Sequence, residues 1–393
     1  MSLLRSERYS AALLLAAAIL GLIAANSPFG AALLDAKDAH VGFPAIGLDL
    51  SIGHWISDGL LALFFFLVAI ELKHELTAGE LNSPSKALVP AIAALGGVLV
   101  PAGVYLLVAG GSGYAGGWPV PTATDIAFAL GVLAVFGKNL PGGVRVFLLA
   151  LAILDDLIAI LIIAVFFTQE VSLPFLAGAA VAVAAFGWLG VRFARDARGL
   201  HGLRLAAMIV LAVLAWYLVY RSGVHATIAG VALGFVLARR PAGRTVHTLE
   251  PYSNGLVLPL FAFSAAAVAV PAVGIDELSA PFWGILLALP VGKLIGITLG
   301  GWLAASVSRR HGGSGLSLPN VITVAALGGI GFTVSLLMNE LAFARSEEIV
   351  DEGTLAVLLG SGVSIVLSAV LLTVRSRHYA RRATMKKIHR ASR

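Results

Sequence analysis

Long apolar stretches alternate with short polar ones along the whole chain. A helix of about 20 predominantly apolar residues is long enough to cross the hydrocarbon core of a bilayer. Stretches near this length fall at 10–25, 56–74, 87–109, 118–137, 146–167, 174–194, 204–219, 223–238, 251–270, 282–305, 319–342 and 354–374. The pattern therefore predicts an all-α integral membrane protein with twelve transmembrane helices. In the loop 26–54, apolar residues interrupted by Gly and Pro (AHVGFPAIGLDLS) indicate a small β-hairpin.

Charged residues are few and are concentrated between the apolar stretches. Only 12% of the 393 residues are charged, whereas soluble domains average about 25%. Because Lys and Arg collect in the connecting loops, we interpret the net charge of +6 as a determinant of topology and expect no nucleic-acid partner. The chain has no cysteine, and its nine histidines form no HExxH-type pair, so we expect no resident cofactor.

The distribution of Lys and Arg between successive loops predicts the orientation of the chain. Cytoplasmic loops of membrane proteins carry an excess of these residues. If the N-terminus is cytoplasmic, one alternate set of loops and the tail 377–393 carry most of them. The opposite set has only Lys37, Arg221 and Arg345, together with an acidic turn at 347–352. Both termini are therefore expected in the cytoplasm, and the basic tail is expected to contact lipid headgroups.

The stretch 146–167 is apolar except for two adjacent carboxylates near its middle, Asp155 and Asp156. A charge at this depth is costly unless it is paired, protonated or hydrated, and neighbouring like charges resist ionising together. Intramembrane acids sometimes only hold helices together, but more often they mark a path for ions or protons. The pair is therefore the first candidate for an ion site.

Three further positions lie at the predicted depth of this pair. Asp125 lies about twelve residues before the turn at 137–143 and Asp155 about twelve after it, which places both roughly 18 Å from the loop. Lys293 and Gly331 lie about a dozen residues on either side of the loop near 306–318. All four positions are thus expected near the middle of a hydrocarbon core of about 30 Å.

Two of the predicted helices carry interruptions at this depth. One reads WPVPTATDIAFALG (118–131) and the other AALGGIGFTVS (325–335). The interrupting residues are Pro119, Pro121, Gly328, Gly329 and Gly331. Proline removes a helix donor, and non-helical backbone survives at membrane depth only inside protein or against water. A single break is as readily a packing kink, but one break in each half of a transporter indicates an ion site.

Six motifs, in this order and at this spacing, resemble those of the NhaA-type bacterial sodium/proton antiporters. They are TATDIAFALG (122–131), LAILDDLIAI (151–160), SGVHATIAG (222–230), LPLFAF (258–263), GKLIGI (292–297) and GGIGFT (328–333). The resemblance covers nearly the whole chain. It implies inverted three-helix repeats at spans three to five and ten to twelve, and two discontinuous helices that cross at mid-membrane. It also implies a homodimer joined partly through the hairpin.

The resemblance implies a role for each buried polar residue. Asp155 and Asp156 match the ion-binding and proton-carrying acids, and Asp156 is our first choice for the direct Na⁺ ligand. Thr124 and Asp125 match the polar pair at the first break. Lys293 matches the buried lysine of span ten. This lysine is either a plain counter-ion for a carboxylate or a partner through which protonation and ion binding compete.

The resemblance also implies that a pH-sensing group lies at the cytoplasmic mouth. The candidates are Glu71, His74, Glu75, His247 and Glu250. Histidine titrates near neutral pH, and clustered acids gather cations, although solvated charge at helix ends is an equally open interpretation. The chain departs from the family here, with His74 for a usual Arg, Val246 for a Glu and Glu250 for a common His. The activation pH is therefore not predicted.

Taken together, these features predict a single transporter domain. The ion-site bundle is expected at approximately 87–169 and 282–376, and the interface and dimer part at approximately 10–76 and 174–270. We expect electrogenic, pH-regulated exchange of Na⁺ or Li⁺ for H⁺ across the bacterial inner membrane, and no enzymatic activity. The alternatives are a sodium-coupled symporter of related fold and an intramembrane aspartyl protease. The protease is disfavoured because its Gly-x-Gly-Asp motif is absent.

Overall fold

A computed structural model of the chain describes residues 7–79, 81–168, 171–195, 201–270, 275, 277–309 and 317–391. Almost all of them are helical. The helices are α1 (Glu7–Ala25), α2 (Gly30–Asp38), α3 (Ile52–His54), α4 (Leu61–Thr77), α5 (Pro84–Ala109), α6 (Ile126–Phe136), α7 (Gly142–Phe166), α8 (Leu173–Arg195), α9 (His201–Arg221), α10 (Thr227–Val236), α11 (Arg239–Tyr252), α12 (Leu258–Ala266), α13 (Ala280–Leu287), α14 (Lys293–Arg309), α15 (Leu318–Gly328), α16 (Phe332–Ala342) and α17 (Glu347–Ala391). The π-helical turns Trp55–Leu60, Ser253–Val257 and Ala288–Gly292 join successive helices.

Several of these helices are long and apolar enough to cross a membrane. Eight segments meet this condition within the described residues: Ile52–Thr77, Ala87–Ala109, Ala115–Phe136, Gly142–Phe166, Leu173–Arg192, Gly202–Arg221, Ala280–Ala304 and Glu347–Arg382. Two bent pairs, α1 with α2 and α15 with α16, raise the number to ten if each pair is one span. The fold is therefore that of a polytopic helical membrane protein.

The hairpin expected in the first loop is confirmed. Strands β1 (His40–Phe43) and β2 (Leu48–Ser51) pair antiparallel, with Val41 opposite Leu50. The turn between them contains Gly47 at φ +68°, a left-handed conformation that glycine adopts without strain. The loop also contains α2, which the sequence pattern did not predict.

The chain packs as two compact units. The first consists of Leu13–Asn82 and Ile160–Ala269. In it α10 lies against α4, where a Cβ atom at Gly230 would come within 2.1 Å of the Ala62 carbonyl oxygen. The ammonium group of Lys73 donates to the Phe235 and Leu237 carbonyl oxygens, at 2.7 and 3.0 Å, and so closes the end of α10.

The second unit contains α5, α6 and α13–α17, with the part of α7 up to Ala159. Its closest helix contact joins α5 to α14. A Cβ atom at Gly96 would lie 2.2 Å from the Gly296 carbonyl oxygen, and one at Gly296 would lie 2.1 Å from the Gly96 carbonyl oxygen. The two backbones therefore touch directly, and this contact fixes the position of Lys293, the first residue of α14.

The acidic turn expected at 347–352 is not a loop. The helix α17 begins at Glu347, with Glu347 and Glu348 in its first turn, where acids stabilise the positive end of the helix. Glu352 is buried, with an exposed fraction of 3%, and accepts hydrogen bonds from the backbone N–H and the hydroxyl of Ser279, ahead of α13. The charge pattern misplaced Glu352 because partners distant in sequence supply its donors. The tail expected at 377–393 continues α17 to Ala391, and residues 392 and 393 lie outside the described residues.

Candidate functional site

The two central acids lie in the middle of α7 and are almost completely buried. Asp155 and Asp156 each have an exposed fraction of 2%. Asp155 Oδ2 lies 2.6 Å from the Nζ atom of Lys293, whose exposed fraction is 0%. The charge of Asp156 also acts on Lys293. The structure therefore brings both acids and the lysine together in one buried group.

Thr124 connects this group to the rest of the site. Lys293 Nζ, which contacts Asp155, also donates to Thr124 Oγ1 at 3.1 Å. The Thr124 hydroxyl donates to the Gly328 carbonyl oxygen at 2.8 Å. Asp155 Oδ1 has no hydrogen-bond partner among the described residues. One oxygen of the Asp155 carboxylate is thus left with acceptor capacity.

The backbone leaves the helical conformation directly before α6. A 3₁₀ helix at Val120–Thr122 contains Pro121 and directly follows Pro119, and residues 123–125 are extended or irregular up to Ile126. Asp125 then caps α6, because its Oδ1 accepts from the Phe128 N–H at 2.9 Å. Proline cannot donate a helical hydrogen bond, and a side-chain acceptor offsets the unpaired N–H groups at the start of a helix.

A second non-helical segment separates α15 from α16. The two helices meet at an angle of 49°, and Gly329 lies between them. A Cβ atom at Gly329 would lie 2.6 Å from Ser364 Oγ and 2.9 Å from the Leu289 carbonyl oxygen, so only glycine fits. Phe332 has φ +26°, and Ser361 Oγ accepts its N–H at 3.2 Å. A strained backbone is thus held in place by a hydroxyl group of α17.

Hydrogen bonds join the two non-helical segments. The Asp125 N–H donates to the Ile330 carbonyl oxygen at 2.7 Å. In return Thr333 donates to Asp125 Oδ2, from its hydroxyl at 2.7 Å and from its backbone N–H at 3.3 Å. Asp125 therefore caps α6 with one oxygen and the start of α16 with the other. A carboxylate near two helix N-termini opposes the partial positive charge of both.

Thr333 and Ser361 were not among the residues predicted from the sequence. Thr333 ends the motif GGIGFT, so its position directly after the glycine-rich break was the available signal. Ser361 lies in α17, about thirty residues further along the chain. Nothing in the local pattern around Ser361 distinguishes it from an ordinary helix-packing serine.

The residues predicted to sense pH lie in the other unit. Glu71, His74 and Glu75 lie near the end of α4, whereas His247 and Glu250 lie on α11. Glu71 interacts electrostatically with Glu75 and with Glu250, so the structure brings three acids of the predicted group together. His74 and His247 are both exposed.

Two further observations limit the chemistry of the site. Among the described residues, no group of three or more His, Cys, Asp or Glu side chains is placed to hold a metal ion. A cavity of about 390 Å³ lies between the end of α6 and the start of α7, and its lining includes Lys138 and Arg145. None of the predicted ion-binding residues lines this cavity. Because no third acid, histidine or cysteine of the described residues joins Asp155 and Asp156, a cation there would need hydroxyl or carbonyl oxygens as additional ligands.

A polytopic helical protein with a buried carboxylate–ammonium pair beside two non-helical segments has the features of a membrane ion transporter. A family model described as Na+/H+ antiporter 1 matches residues 1–372. The chain therefore belongs to this family of Na⁺/H⁺ antiporters.

Known relatives match the chain over nearly its full length. It is 63% identical over 384 residues to the Na(+)/H(+) antiporter NhaA 2 of Clavibacter michiganensis, covering 97% of this chain and 93% of the relative. The Na(+)/H(+) antiporter NhaA of Tropheryma whipplei is 50% identical over 377 residues, 95% of each chain. That of Mycolicibacterium smegmatis is 46% identical over 390 residues, 96% of this chain and 88% of the relative.

Proposed function

We propose that this chain exchanges Na⁺ or Li⁺ for H⁺ across the bacterial inner membrane, by competition of the cation and protons for Asp155 and Asp156. The observation that carries the proposal is the buried pair of Lys293 and Asp155, linked through Thr124 to the second non-helical segment. Burying a charged pair costs several kcal/mol per ion before the attraction offsets it. A site that holds charges at this cost is suited to binding and releasing them.

The chemistry of the oxygens explains why the two cargoes exclude each other. Hard cations prefer oxygen ligands, and we propose that Asp156 binds Na⁺ directly, with Asp155 Oδ1 and the Thr124 hydroxyl beside it. Two protons neutralise the same carboxylates, so they bind only when Na⁺ has left. If two protons leave for each Na⁺ that binds, net charge crosses the membrane. The membrane potential then drives Na⁺ out of the cell.

The architecture that we propose has twelve transmembrane helices arranged with inverted repeats. One repeat comprises α5, α6 and α7, and the other runs from α13 to α17. The two non-helical segments would be the interruptions of two discontinuous helices that cross at mid-membrane. We propose that the bundle at 87–169 and 282–376 rocks to give alternating access, whereas 10–76 and 174–270 form the interface and dimer part.

The orientation and assembly follow the same proposal. Both termini lie in the cytoplasm, and the basic tail contacts anionic lipid headgroups. Two copies form a homodimer through the β1–β2 hairpin, whose Val41 and Phe43 have exposed fractions of 56% and 70%. The acids around Glu71 form a cytoplasmic funnel that senses pH, together with His74 and His247.

A ΔpH assay in everted membrane vesicles tests the exchange. In vesicles from a host that lacks its own antiporters, adding Na⁺ or Li⁺ should collapse a respiration-driven pH gradient, reported by a fluorescent dye. A sodium-coupled symporter would leave the gradient intact unless its substrate were added. A vesicle preparation that contains the inserted protein but shows no cation-dependent signal would refute the exchange.

The substitution Asp156→Asn tests the site. It preserves the size of the side chain but removes the charge that binds a cation, so we expect Na⁺-dependent proton movement to be lost. The matched control is Asp35→Asn, which alters an exposed acid of α2 and should leave the exchange unchanged. Normal exchange by a correctly inserted Asp156→Asn protein would exclude this residue as the cation ligand.

A further inference from the structure

Three polar side chains join α17 to the first turn of α15. They lie at the opposite end of α15 from Gly328, whose carbonyl oxygen contacts Thr124. Arg375 donates two hydrogen bonds to Asn320 Oδ1, from Nε at 3.2 Å and from Nη2 at 2.8 Å. Asn320 Nδ2 donates to the Tyr379 hydroxyl at 3.0 Å, and Arg375 Nη2 lies 3.3 Å from the same hydroxyl. We call Asn320, Arg375 and Tyr379 the tail cluster.

The tail cluster is more specific than a surface contact between polar groups. Asn320 has an exposed fraction of 2%. Because a guanidinium group has only donors, the amide oxygen of Asn320 must face Arg375 and its NH₂ group must face Tyr379. The guanidinium also stacks over the Tyr379 ring, 5.1 Å from its centroid. Every member of the cluster thus restricts the orientation of the others.

The same segment of α17 also contacts the end of α6. Asn139, which follows α6, donates from Nδ2 to the Ser376 hydroxyl at 3.1 Å. Residues 375–379 of α17 therefore hold the ends of two helices, α15 and α6. The helix α6 begins directly after Asp125, and α15 ends at Gly328.

The helix α15 connects the tail cluster to the ion site. It has 11 residues and is therefore about 16 Å long. Asn320 lies at its start, and Gly328, whose carbonyl oxygen accepts the Thr124 hydroxyl, lies at its end. A short helix moves as a rigid rod, so a displacement at Asn320 also displaces the Gly328 oxygen. Thr124 would then lose the acceptor that orients its hydroxyl.

We propose that Arg375 and Tyr379 are positioning residues, which hold α15 so that the Gly328 carbonyl oxygen keeps Thr124 oriented at the cation site. The inference rests on the proposed exchange of Na⁺ for H⁺. Neither residue touches the cation, and both lie beyond residue 372, where the match to the family model ends. Their effect is on the affinity for Na⁺, transmitted through one helix.

The test is Tyr379→Phe in the full chain, which removes one hydroxyl and keeps the ring beneath Arg375. The apparent KM for Na⁺ in the vesicle assay should rise about three- to tenfold, because the buried Asn320 amide loses a hydrogen-bond acceptor. The maximal rate per inserted protein should stay within about twofold, because the site itself is unaltered. A merely destabilising change would instead lower the maximal rate and leave KM unchanged.

The matched control is Arg377→Gln, which removes a positive charge from the same turn of α17 at an exposed position. It should leave KM for Na⁺ unchanged, whereas Arg375→Gln should raise it at least as much as Tyr379→Phe. Hydrogen exchange of the purified proteins gives a second readout. Amides in the first turn of α15 should exchange faster in Tyr379→Phe than in Arg377→Gln.

The outcomes separate this inference from the proposed function. If the parent protein shows no Na⁺-dependent proton movement, the proposed function fails and the inference fails with it. If the parent protein exchanges normally but KM is unchanged in both Tyr379→Phe and Arg375→Gln, only the positioning role is wrong. An equal rise in KM in Arg377→Gln would also overturn that role, because it would show a general effect of surface charge.

Discussion

Lys293 is a buried cation whose hydrogen bonds are made by the site itself. Its ammonium group donates to Asp155 and to Thr124, and its exposed fraction is 0%. Removing one partner from such a buried pair typically costs about 3–5 kcal/mol, because the other charge is left uncompensated. Lys293 therefore stabilises the buried site. Under the proposed exchange it would also compete with a cation for the Asp155 carboxylate.

Thr333 is the residue through which the start of α16 contacts Asp125. In Thr333→Val the side chain keeps its shape but loses the hydroxyl that donates to Asp125 Oδ2 at 2.7 Å. We expect a reduction in Na⁺-dependent exchange of about tenfold, because a buried charged acceptor loses a hydrogen bond worth about 1.5–3 kcal/mol. Measurement of KM and maximal rate in everted vesicles checks this.

The conservative variant Thr333→Ser provides the control for this prediction. It retains a hydroxyl at the same position, so it should restore most of the exchange lost in Thr333→Val. If the valine variant exchanges as fast as the parent protein, the bond to Asp125 has no part in transport.

The residue-level geometry was partly accessible from the sequence. Counting residues from the loops placed Asp155 and Lys293 at one depth, and the structure places them 2.6 Å apart. Their contact could be anticipated because the rise of a helix converts sequence distance into depth. Counting could not reveal Thr333, since depth alone does not say which side chain of a segment faces a carboxylate.

At the scale of elements, the break between α15 and α16 is held against the turn that precedes Lys293. Gly329 lies beside the Leu289 carbonyl oxygen, which belongs to the π-helical turn Ala288–Gly292. A π-helical turn inserts an extra residue and changes the direction of the side chains that follow. The π-helical turn therefore determines the direction in which the Lys293 side chain leaves the start of α14.

The substitution Gly329→Ala should disrupt this contact. Its Cβ atom would lie 2.9 Å from a backbone oxygen that cannot move independently, so the break must shift. We expect exchange to fall at least about tenfold at normal protein levels, since overpacking typically costs about 1–3 kcal/mol. The vesicle assay, normalised to inserted protein, measures this.

Gly362→Ala is the matched control, because a Cβ atom at Gly362 would meet nothing within 4 Å. It should exchange like the parent protein. Equal activity of Gly329→Ala and Gly362→Ala would mean that the break tolerates a larger separation from Leu289.

The elements were predicted best where the apolar pattern was long and uninterrupted. The pattern at 146–167 corresponds to α7, and the hairpin between α2 and α3 was indicated by its Gly and Pro residues. The acids of 347–352 were misplaced because a helix start and a loop have the same composition there. The extension of α17 through the basic tail was missed because Lys and Arg are good helix formers that apolar periodicity does not detect.

At the scale of the whole molecule, the proposed competition makes a prediction about pH. Protons occupy the carboxylates more fully as the pH falls, so Na⁺ must displace more of them. The apparent KM for Na⁺ should therefore rise at lower pH, by about tenfold per pH unit for each proton displaced. Initial rates in everted vesicles across a pH series measure the slope.

The slope also reports the stoichiometry of exchange. A rise close to two decades per pH unit would support release of two protons per Na⁺, and a rise close to one decade would support a single proton. A KM for Na⁺ that did not change with pH would contradict competition, because the cation and protons would then bind at separate places.

The number of spans shows where prediction from sequence stops at this scale. Twelve apolar stretches were counted, whereas eight to ten segments of the described structure are long and apolar enough to span. The difference lies in the predicted spans 223–238 and 251–270, where α10 has only ten residues and α12 only nine. Hydropathy cannot tell a short spanning helix from a buried one, because both are apolar for their whole length.

The direct contact of Gly96 in α5 with Gly296 in α14 has a consequence for any movement within the second compact unit. Helices separated by side chains can slide, since the side chains adjust as the backbones shift, but bare backbones in contact have no such freedom. Because Lys293 lies only three residues from Gly296 in α14, its position depends on that of α5. If the proposed exchange opens the bond between Lys293 and Asp155, we expect α5 and α14 to move together. The separation would then come from α7, which carries Asp155, or from rotation within the Lys293 side chain.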